Sequence, residues 1–158
     1  MINTAKQGEK EFGDIVSRID SILGRLRAKN APQSDIYFWQ ATQNYYRKVH
    51  EANIEGKPLA CNGLFGPREL LVAMDIPFYS AENHGIFVVQ SQPDIAVRLF
   101  QKAEIYGLSS DICSPHRAAT GLALEGMVPR PSFIFSTSST CDQTFKLYEL
   151  LQEYYGCP

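Results

Sequence analysis

The chain has 158 residues, 44% hydrophobic and 20% charged, which is typical of a soluble globular protein with one domain. Its 15 basic and 17 acidic residues leave a net charge of -2 with no basic cluster, which argues against electrostatic binding to nucleic acid. No apolar run approaches the ~20 residues of a transmembrane helix. The polar N-terminus also lacks the apolar centre of a signal peptide, so we expect a cytoplasmic protein without membrane partners.

Residues 1–56 predict an N-terminal segment of two helices. One face of the first helix, which we expect to begin at Gly13 and Asp14, carries Ile15, Ile19, Ile22, Leu23 and Leu26. The expected core face of the second helix carries Phe38, Thr42, Tyr45 and Val49. Gly56 is expected to end that helix, because glycine readily adopts the backbone conformation that follows a last helical turn.

Residues 57–158 predict a Rossmann-like α/β domain. Short apolar runs at 58–61, 76–79 and 132–135 predict strands, and helices are expected to begin near Pro67, Pro93, Cys113 and Cys141. In the helix after Pro67, residues 70, 71 and 74 are expected to face inward, and residues 80–85 predict a polar turn. The alternation favours a parallel, Rossmann-like or flavodoxin-like sheet flanked by helices and joined by right-handed crossovers.

Two of the four cysteines stand where helices are predicted to begin. Cys113 opens one helix, and Cys141 follows the strand 132–135 through a polar loop. Unpaired N–H groups at a helix start lower the pKa of a thiol and favour the thiolate, which binds iron or zinc. Because ligands collect beyond the carboxyl ends of parallel strands, the two strand–helix turns predict one shared metal centre. Cys61 and Glu82 are expected on turns at the same edge of the sheet.

Other interpretations of the reactive side chains stay open. Cys61 and Cys157 fit buried or terminal thiols better than ligands, and no C-x-x-C motif occurs. His84 and His116 could bind a metal, but they fit a polar loop and an exposed first turn better. Cys141 could instead be a nucleophile assisted by a neighbouring acid or histidine.

Three motifs, in this order, resemble a known family. They are residues 67–77 (PRELLVAMDIP) with Glu82; Asp111-Ile112-Cys113-Ser114 with Arg117 and Gly121; and Ser139-Thr140-Cys141-Asp142 with Lys146, Tyr148 and Glu149. From about Tyr45 to Pro158, their order and spacing resemble the 2-hydroxyacyl-CoA dehydratase and benzoyl-CoA reductase family, and the 2-hydroxyglutaryl-CoA dehydratase D-component in particular.

This resemblance implies an enzyme component that holds a [4Fe-4S] cluster between two Rossmann-like domains. Cys113 and Cys141 match two of the family's three cysteine ligands, and the third lies in a second domain that this chain lacks. The implied partners are an acyl-CoA substrate, a paralogous subunit and an ATP-hydrolysing activator that delivers a low-potential electron. The implied chemistry is radical dehydration of a 2-hydroxyacyl-CoA or reduction of an aromatic acyl-CoA ring. Glu82 matches an acidic residue near the substrate, which implies proton handling or positioning.

The sequence leaves a second function open, a non-catalytic α/β domain used for subunit assembly or binding. Leu64 or Phe65 stands about where some dehydratases carry a substrate-contacting serine, which argues against dehydratase activity in particular, and the choice between dehydration and ring reduction stays open. Residues 154–158 resemble a helix end before a further strand. We therefore expect a fragment, a natural truncation or one domain of a longer protein.

Overall fold

The structure is a computed structural model that describes residues 8–137, 139 and 141–158. The polar residues 1–7, and Ser138 and Thr140 in the loop before Cys141, lie outside the described residues. In chain order the elements are α1 (Glu9–Ala28), α2 (Gln33–Glu55), β1 (Ala60–Asn62), α3 (Arg68–Ala73), β2 (Phe78–Tyr79), α4 (Ala81–Ser91), α5 (Pro93–Tyr106), α6 (Ser114–Leu124), β3 (Phe133–Phe135) and α7 (Asp142–Tyr155).

The three strands form a parallel sheet in the order β2-β1-β3, which confirms the predicted α/β class. Cys61 in the central strand is paired with Tyr79 on one side and Ile134 on the other. All three residues of β1 are buried, as expected for a parallel strand whose two faces are both covered. The arrangement 2-1-3 is the one found at the start of flavodoxin-like sheets.

The N-terminal helical segment packs on the same hydrophobic core as the sheet. Phe12 of α1 is fully buried, and its ring centroid lies 5.5 Å from that of Tyr46 on α2 and 6.1 Å from that of Tyr79 on β2. The helices α1 and α2 therefore cover the side of the sheet that carries Tyr79. A domain boundary after residue 56 stays a prediction.

Two predicted core faces are wrong in detail. Helix α2 buries Gln43, Tyr46, Val49 and Ala52, whereas Phe38 is 64% exposed, because its buried stripe is rotated from the predicted one. Helix α3 has only six residues and buries Leu71 alone, so Leu70 and Met74 face outward. Both cases arise because helical spacing defines candidate faces, and tertiary packing selects one of them.

Three local predictions near the candidate site are also wrong. Residues 80–85 are not a turn: Ser80 caps α4 by accepting a hydrogen bond from the Asn83 N–H at 3.3 Å. No strand precedes Cys113 within the described residues, because α5 runs to Tyr106 and a loop leads directly to α6. Cys61 lies inside β1 and not on a turn.

No helix in the described ranges has both the length and the apolar character needed to cross a lipid bilayer.

Close packing of α5 on α6 gives a prediction for stability. A Cβ added at Gly121 would lie 2.8 Å from the Cα and carbonyl carbon of Leu99, so we expect Gly121→Ala to lower the free energy of unfolding by about 1–3 kcal/mol. Gly24 on α1 is the matched control, since its added Cβ would meet nothing within 4 Å. Gly24→Ala should raise the free energy of unfolding by about 0.5–1 kcal/mol. Urea denaturation of both variants measures these free energies. A Gly121→Ala protein with the same free energy of unfolding as the wild type would contradict the close packing of α5 on α6.

Candidate functional site

The carboxyl ends of the three parallel strands meet at one edge of the sheet. The Gly63 N–H after β1 donates to the Phe135 carbonyl at the end of β3, at 3.0 Å. Ser80 and Glu82 follow β2 at the start of α4. Tyr148 of α7 reaches the same edge, where its hydroxyl lies 2.9 Å from the Asn62 carbonyl oxygen. The candidate site is built around Glu82 at this edge.

Glu82 is a buried carboxylate held through one of its two oxygens. Its Oε2 accepts hydrogen bonds from the Leu64 N–H and the Ser80 hydroxyl, each at 3.2 Å, and from the Tyr148 hydroxyl. Its side chain is 1% exposed. Oε1 has no hydrogen-bond partner among the described residues and lies 3.9 Å from His116 Nε2. Glu82 therefore has one anchored oxygen and one oxygen with free acceptor capacity.

Neutral groups surround this carboxylate. Burial raises the pKa of Tyr148 well above its ordinary value, and Cys61 and Glu82 raise it further, so the hydroxyl stays protonated and can donate. Burial lowers the pKa of His116, with Glu82 opposing the shift, so the imidazole is uncharged at neutral pH. His116 Nε2 lies 3.3 Å from the Thr144 hydroxyl of α7. Hydrogen bonds from uncharged donors thus offset the desolvation of Glu82.

Cys113 and Cys141 stand at the starts of two helices that touch. Cys113 is the N-cap of α6 and is exposed, and Cys141 is the N-cap of α7 and is half-buried. The Cys113 N–H donates to Oε1 of Gln143 on the first turn of α7, at 3.3 Å. The structure thus places the two predicted helix starts side by side, although only Cys141 follows a strand.

The environment of Cys141 favours its thiolate. The pKa of this thiol is lowered, chiefly by the nearby backbone N–H of Thr144 and further by the Thr144 side chain. This is the effect expected of a helix N-terminus on a thiol.

The two cysteines fit part of an iron–sulfur ligand set. Such clusters take thiolate ligands, and unpaired N–H groups at two helix starts would stabilise their negative charge. The described residues include no group of three His, Cys, Asp or Glu side chains that could hold a metal. A cluster at Cys113 and Cys141 would therefore need further ligands from outside these residues.

The other two cysteines lie in different surroundings. Cys61 is fully buried in β1, and burial raises its pKa well above the ordinary value. Cys157 is half-buried after α7, and burial raises its pKa as well. Both environments favour the protonated thiol, which is a poor metal ligand.

The histidines do not lie where the sequence predicted. His84 was expected on a polar loop, but it is 1% exposed on α4, with its ring centroid 4.6 Å from that of Phe12. His116 was expected on an exposed first turn, but it is 5% exposed and lies between Glu82 and Thr144. Both expectations failed because the sequence around a polar residue does not show whether the fold will bury it beside suitable partners.

Sequence reasoning also missed the part played by Tyr148. It was noted only as a motif residue, whereas the buried face of α7 carries Thr144, Leu147, Tyr148, Leu151 and Tyr155. The spacing of 144, 148, 151 and 155 is itself helical, so it was a usable signal.

The comparisons place most of the α/β part in one family. A family model described as 2-hydroxyglutaryl-CoA dehydratase, D-component, matches residues 64–158, which is more than half of the chain and includes Glu82, Cys113 and Cys141. None of the curated proteins matches the chain.

The anchoring of Glu82 gives a prediction for Tyr148. We expect Tyr148→Phe to lower the free energy of unfolding by about 1–3 kcal/mol, because it removes a buried donor and leaves acceptors unpaired. Tyr154→Phe on the same helix is the control, since the Tyr154 hydroxyl makes no hydrogen bond within the described part of the chain. It should change that free energy by less than about 0.5 kcal/mol. Equal losses in both variants, measured by urea denaturation, would contradict the anchoring.

His84 gives a prediction for pH dependence. Burial lowers its pKa from 6.5 to about 3, so the folded protein keeps the imidazole neutral where the unfolded chain is protonated. Above pH 6.5 the imidazole is neutral in both states, so it does not make the stability depend on pH. Between pH 6.5 and pH 3 only the unfolded chain is protonated, so the free energy of unfolding falls by about 1.4 kcal/mol for each unit by which the pH is lowered.

Between pH 7 and pH 5, His84→Gln should therefore lose about 2 kcal/mol less of its free energy of unfolding than the wild type loses. A comparison at pH 8, where the imidazole is neutral in both states, isolates the packing effect of the substitution. Parallel pH profiles for the two proteins would show that His84 is not buried in its neutral form.

Proposed function

The chain belongs to the 2-hydroxyglutaryl-CoA dehydratase D-component family, and we propose that it is an iron–sulfur component, complete or truncated, of an ATP-activated enzyme that acts on acyl-CoA. The observation that supports this most directly is the contact between the two helix starts that carry Cys113 and Cys141. The proposal covers 2-hydroxyacyl-CoA dehydratase and benzoyl-CoA reductase types of chemistry.

In this proposal Cys113 and Cys141 supply two thiolate ligands. The N–H groups at the starts of α6 and α7 would stabilise the negative charge that collects there. A bound [4Fe-4S] cluster would supply low-potential electrons and a Lewis-acidic iron for chemistry on the acyl group. The lowered pKa of Cys141 supports its assignment as a ligand, because the thiolate is the binding form.

Glu82 is proposed to handle a proton or to position the substrate. Its Oε2 is held by Leu64, Ser80 and Tyr148, so a proton would be taken or given at Oε1, which has free acceptor capacity. The neutral His116 beside Oε1 leaves that oxygen without a fixed cation. Such an arrangement suits general acid–base chemistry, which needs a positioned carboxyl group able to change its protonation state.

The incomplete ligand set brings partners into the proposal. The remaining ligands would come from a second domain or another chain, and we propose a paralogous subunit and an ATP-hydrolysing activator as partners. We keep the cytoplasmic location predicted from the sequence as part of this proposal.

Anaerobic reconstitution of the full chain with ferrous iron and sulfide, with the paralogous subunit present to supply the remaining ligands, tests the cysteine assignment. We expect the wild-type chain to gain iron and a broad visible absorption, and Cys113→Ser or Cys141→Ser to lose most of both, because thiolates hold the iron. Cys157→Ser is the matched control and should keep the iron, since Cys157 lies after the other end of α7. Circular dichroism checks that each variant is folded.

Two outcomes would contradict the proposal. A wild-type chain that holds no iron even with the paralogous subunit present would remove the cluster from this protein, and equal iron in the variants would remove these two cysteines as ligands. The alternative, a non-catalytic assembly domain, predicts an iron-free chain that still associates with a paralogous subunit. Light scattering of the mixture measures that association.

A further inference from the structure

We propose that the cavity between α2 and α4 binds a small amphipathic carboxylate, that is, an anion with an apolar aliphatic or aromatic body. The cavity has a volume of about 560 Å³, and Phe78 and Ser80 at the end of β2 are among the residues that line it. Small-molecule sites in proteins are mostly apolar clefts of roughly 300–1,000 Å³ with a few converging polar groups. The cavity meets that description.

Apolar side chains from three elements form its walls. Phe38 of α2, Phe78 of β2, and Ile86 and Phe87 of α4 all line it. Phe38 is 64% exposed at the rim, although it is a large aromatic residue. The apolar part of a ligand could pack against these walls, and the core residues beneath them would not have to move.

Arg68 gives the cavity its charge preference. It is the only charged one among the described residues that line the cavity, and it lies exposed at the start of α3. Among the described residues no carboxylate comes within 4.0 Å of it. A guanidinium group presents paired donors that match the two oxygens of a carboxylate. An arginine that has no carboxylate partner in the described ranges and lies beside apolar walls therefore favours a ligand with both a negative charge and an apolar body.

Two uncharged groups add donors on the same side. The Tyr45 hydroxyl accepts a hydrogen bond from the Ser80 N–H at 2.9 Å, and in the described ranges no acceptor takes its own proton. Burial raises the pKa of Tyr45 well above its ordinary value, so this proton is retained at neutral pH. Asn83, whose side chain carries an amide donor, is also among the residues that line the cavity.

The cavity and the Glu82 site share Ser80, which lines the cavity and whose hydroxyl bonds Glu82, but their other residues differ. Asn83, Ile86, Phe87 and Gln90 follow the spacing of one helix face, and that face of α4 lines the cavity. Gly85 lies on another face of α4, where an added Cβ would meet Ala118 of α6 at 3.1 Å. The other two donors to Glu82, on Leu64 and Tyr148, belong to residues that do not line the cavity. The proposal therefore stands independently of the cysteines and of any cluster.

Titration of the full-length protein with phenylbutyrate tests the site, with phenylbutanol as an uncharged probe that has the same apolar body. Trp39 is the only tryptophan, and its ring centroid lies 5.7 Å from that of Phe38, so its fluorescence reports on the cavity. Amide chemical shifts give a second readout. We expect saturable binding of phenylbutyrate about tenfold tighter than that of phenylbutanol, because only the carboxylate pairs with Arg68.

Three variants locate the binding. Arg68→Gln should bring the affinity for phenylbutyrate down to that for phenylbutanol, whereas Arg98→Gln, which changes an exposed arginine on α5, should leave both unchanged. Ala41→Phe should fill the cavity and weaken the binding of both probes, with thermal unfolding as the check on folding. The proposal is wrong if the wild type shows no saturable binding, if Arg68→Gln keeps the preference for the carboxylate, or if a folded Ala41→Phe protein binds as well as the wild type.

Discussion

The burial of Glu82 is the constraint that organises the carboxyl edge of the sheet. A carboxylate taken out of water is unstable unless hydrogen bonds replace its hydration. The donors to Oε2 come from the loop after β1, the cap of α4 and the middle of α7. Because one oxygen atom satisfies all three, the relative positions of these elements are fixed around it. Moving any of them would leave buried polar groups unpaired.

The same anchoring sets where the cysteines stand. Tyr148 ties α7 to the sheet, and Thr144, one turn earlier on that helix, meets His116 of α6. The starts of α6 and α7 are thereby brought together, and with them Cys113 and Cys141. The proposed ligand pair thus depends on a hydrogen-bonded layer beneath it that connects it to Glu82.

Much of the fold could be predicted from the sequence. The three strands were found because each is a short apolar run bounded by polar or turn residues, and Gly56 was recognised as the end of α2. The resemblance to the family was readable from ordered motifs and is supported by the match over residues 64–158.

The remaining features depend on tertiary contacts that local patterns do not contain. Glu82 and His84 lie in a polar stretch that reads as a loop, yet the fold buries both by providing partners on other elements. The strand expected before Cys113 is a loop, and the helix start that follows is held by Gln143, thirty positions further along the chain. Phe38 was placed in the core because helical spacing alone does not select between neighbouring faces.

The Tyr148 hydroxyl offers one proton to two acceptors, the Asn62 carbonyl and Glu82 Oε2. Tyr148 and Asn62 are 86 positions apart in the chain. The hydrogen bonds around Glu82 are therefore complete only once the last helix has packed on the sheet.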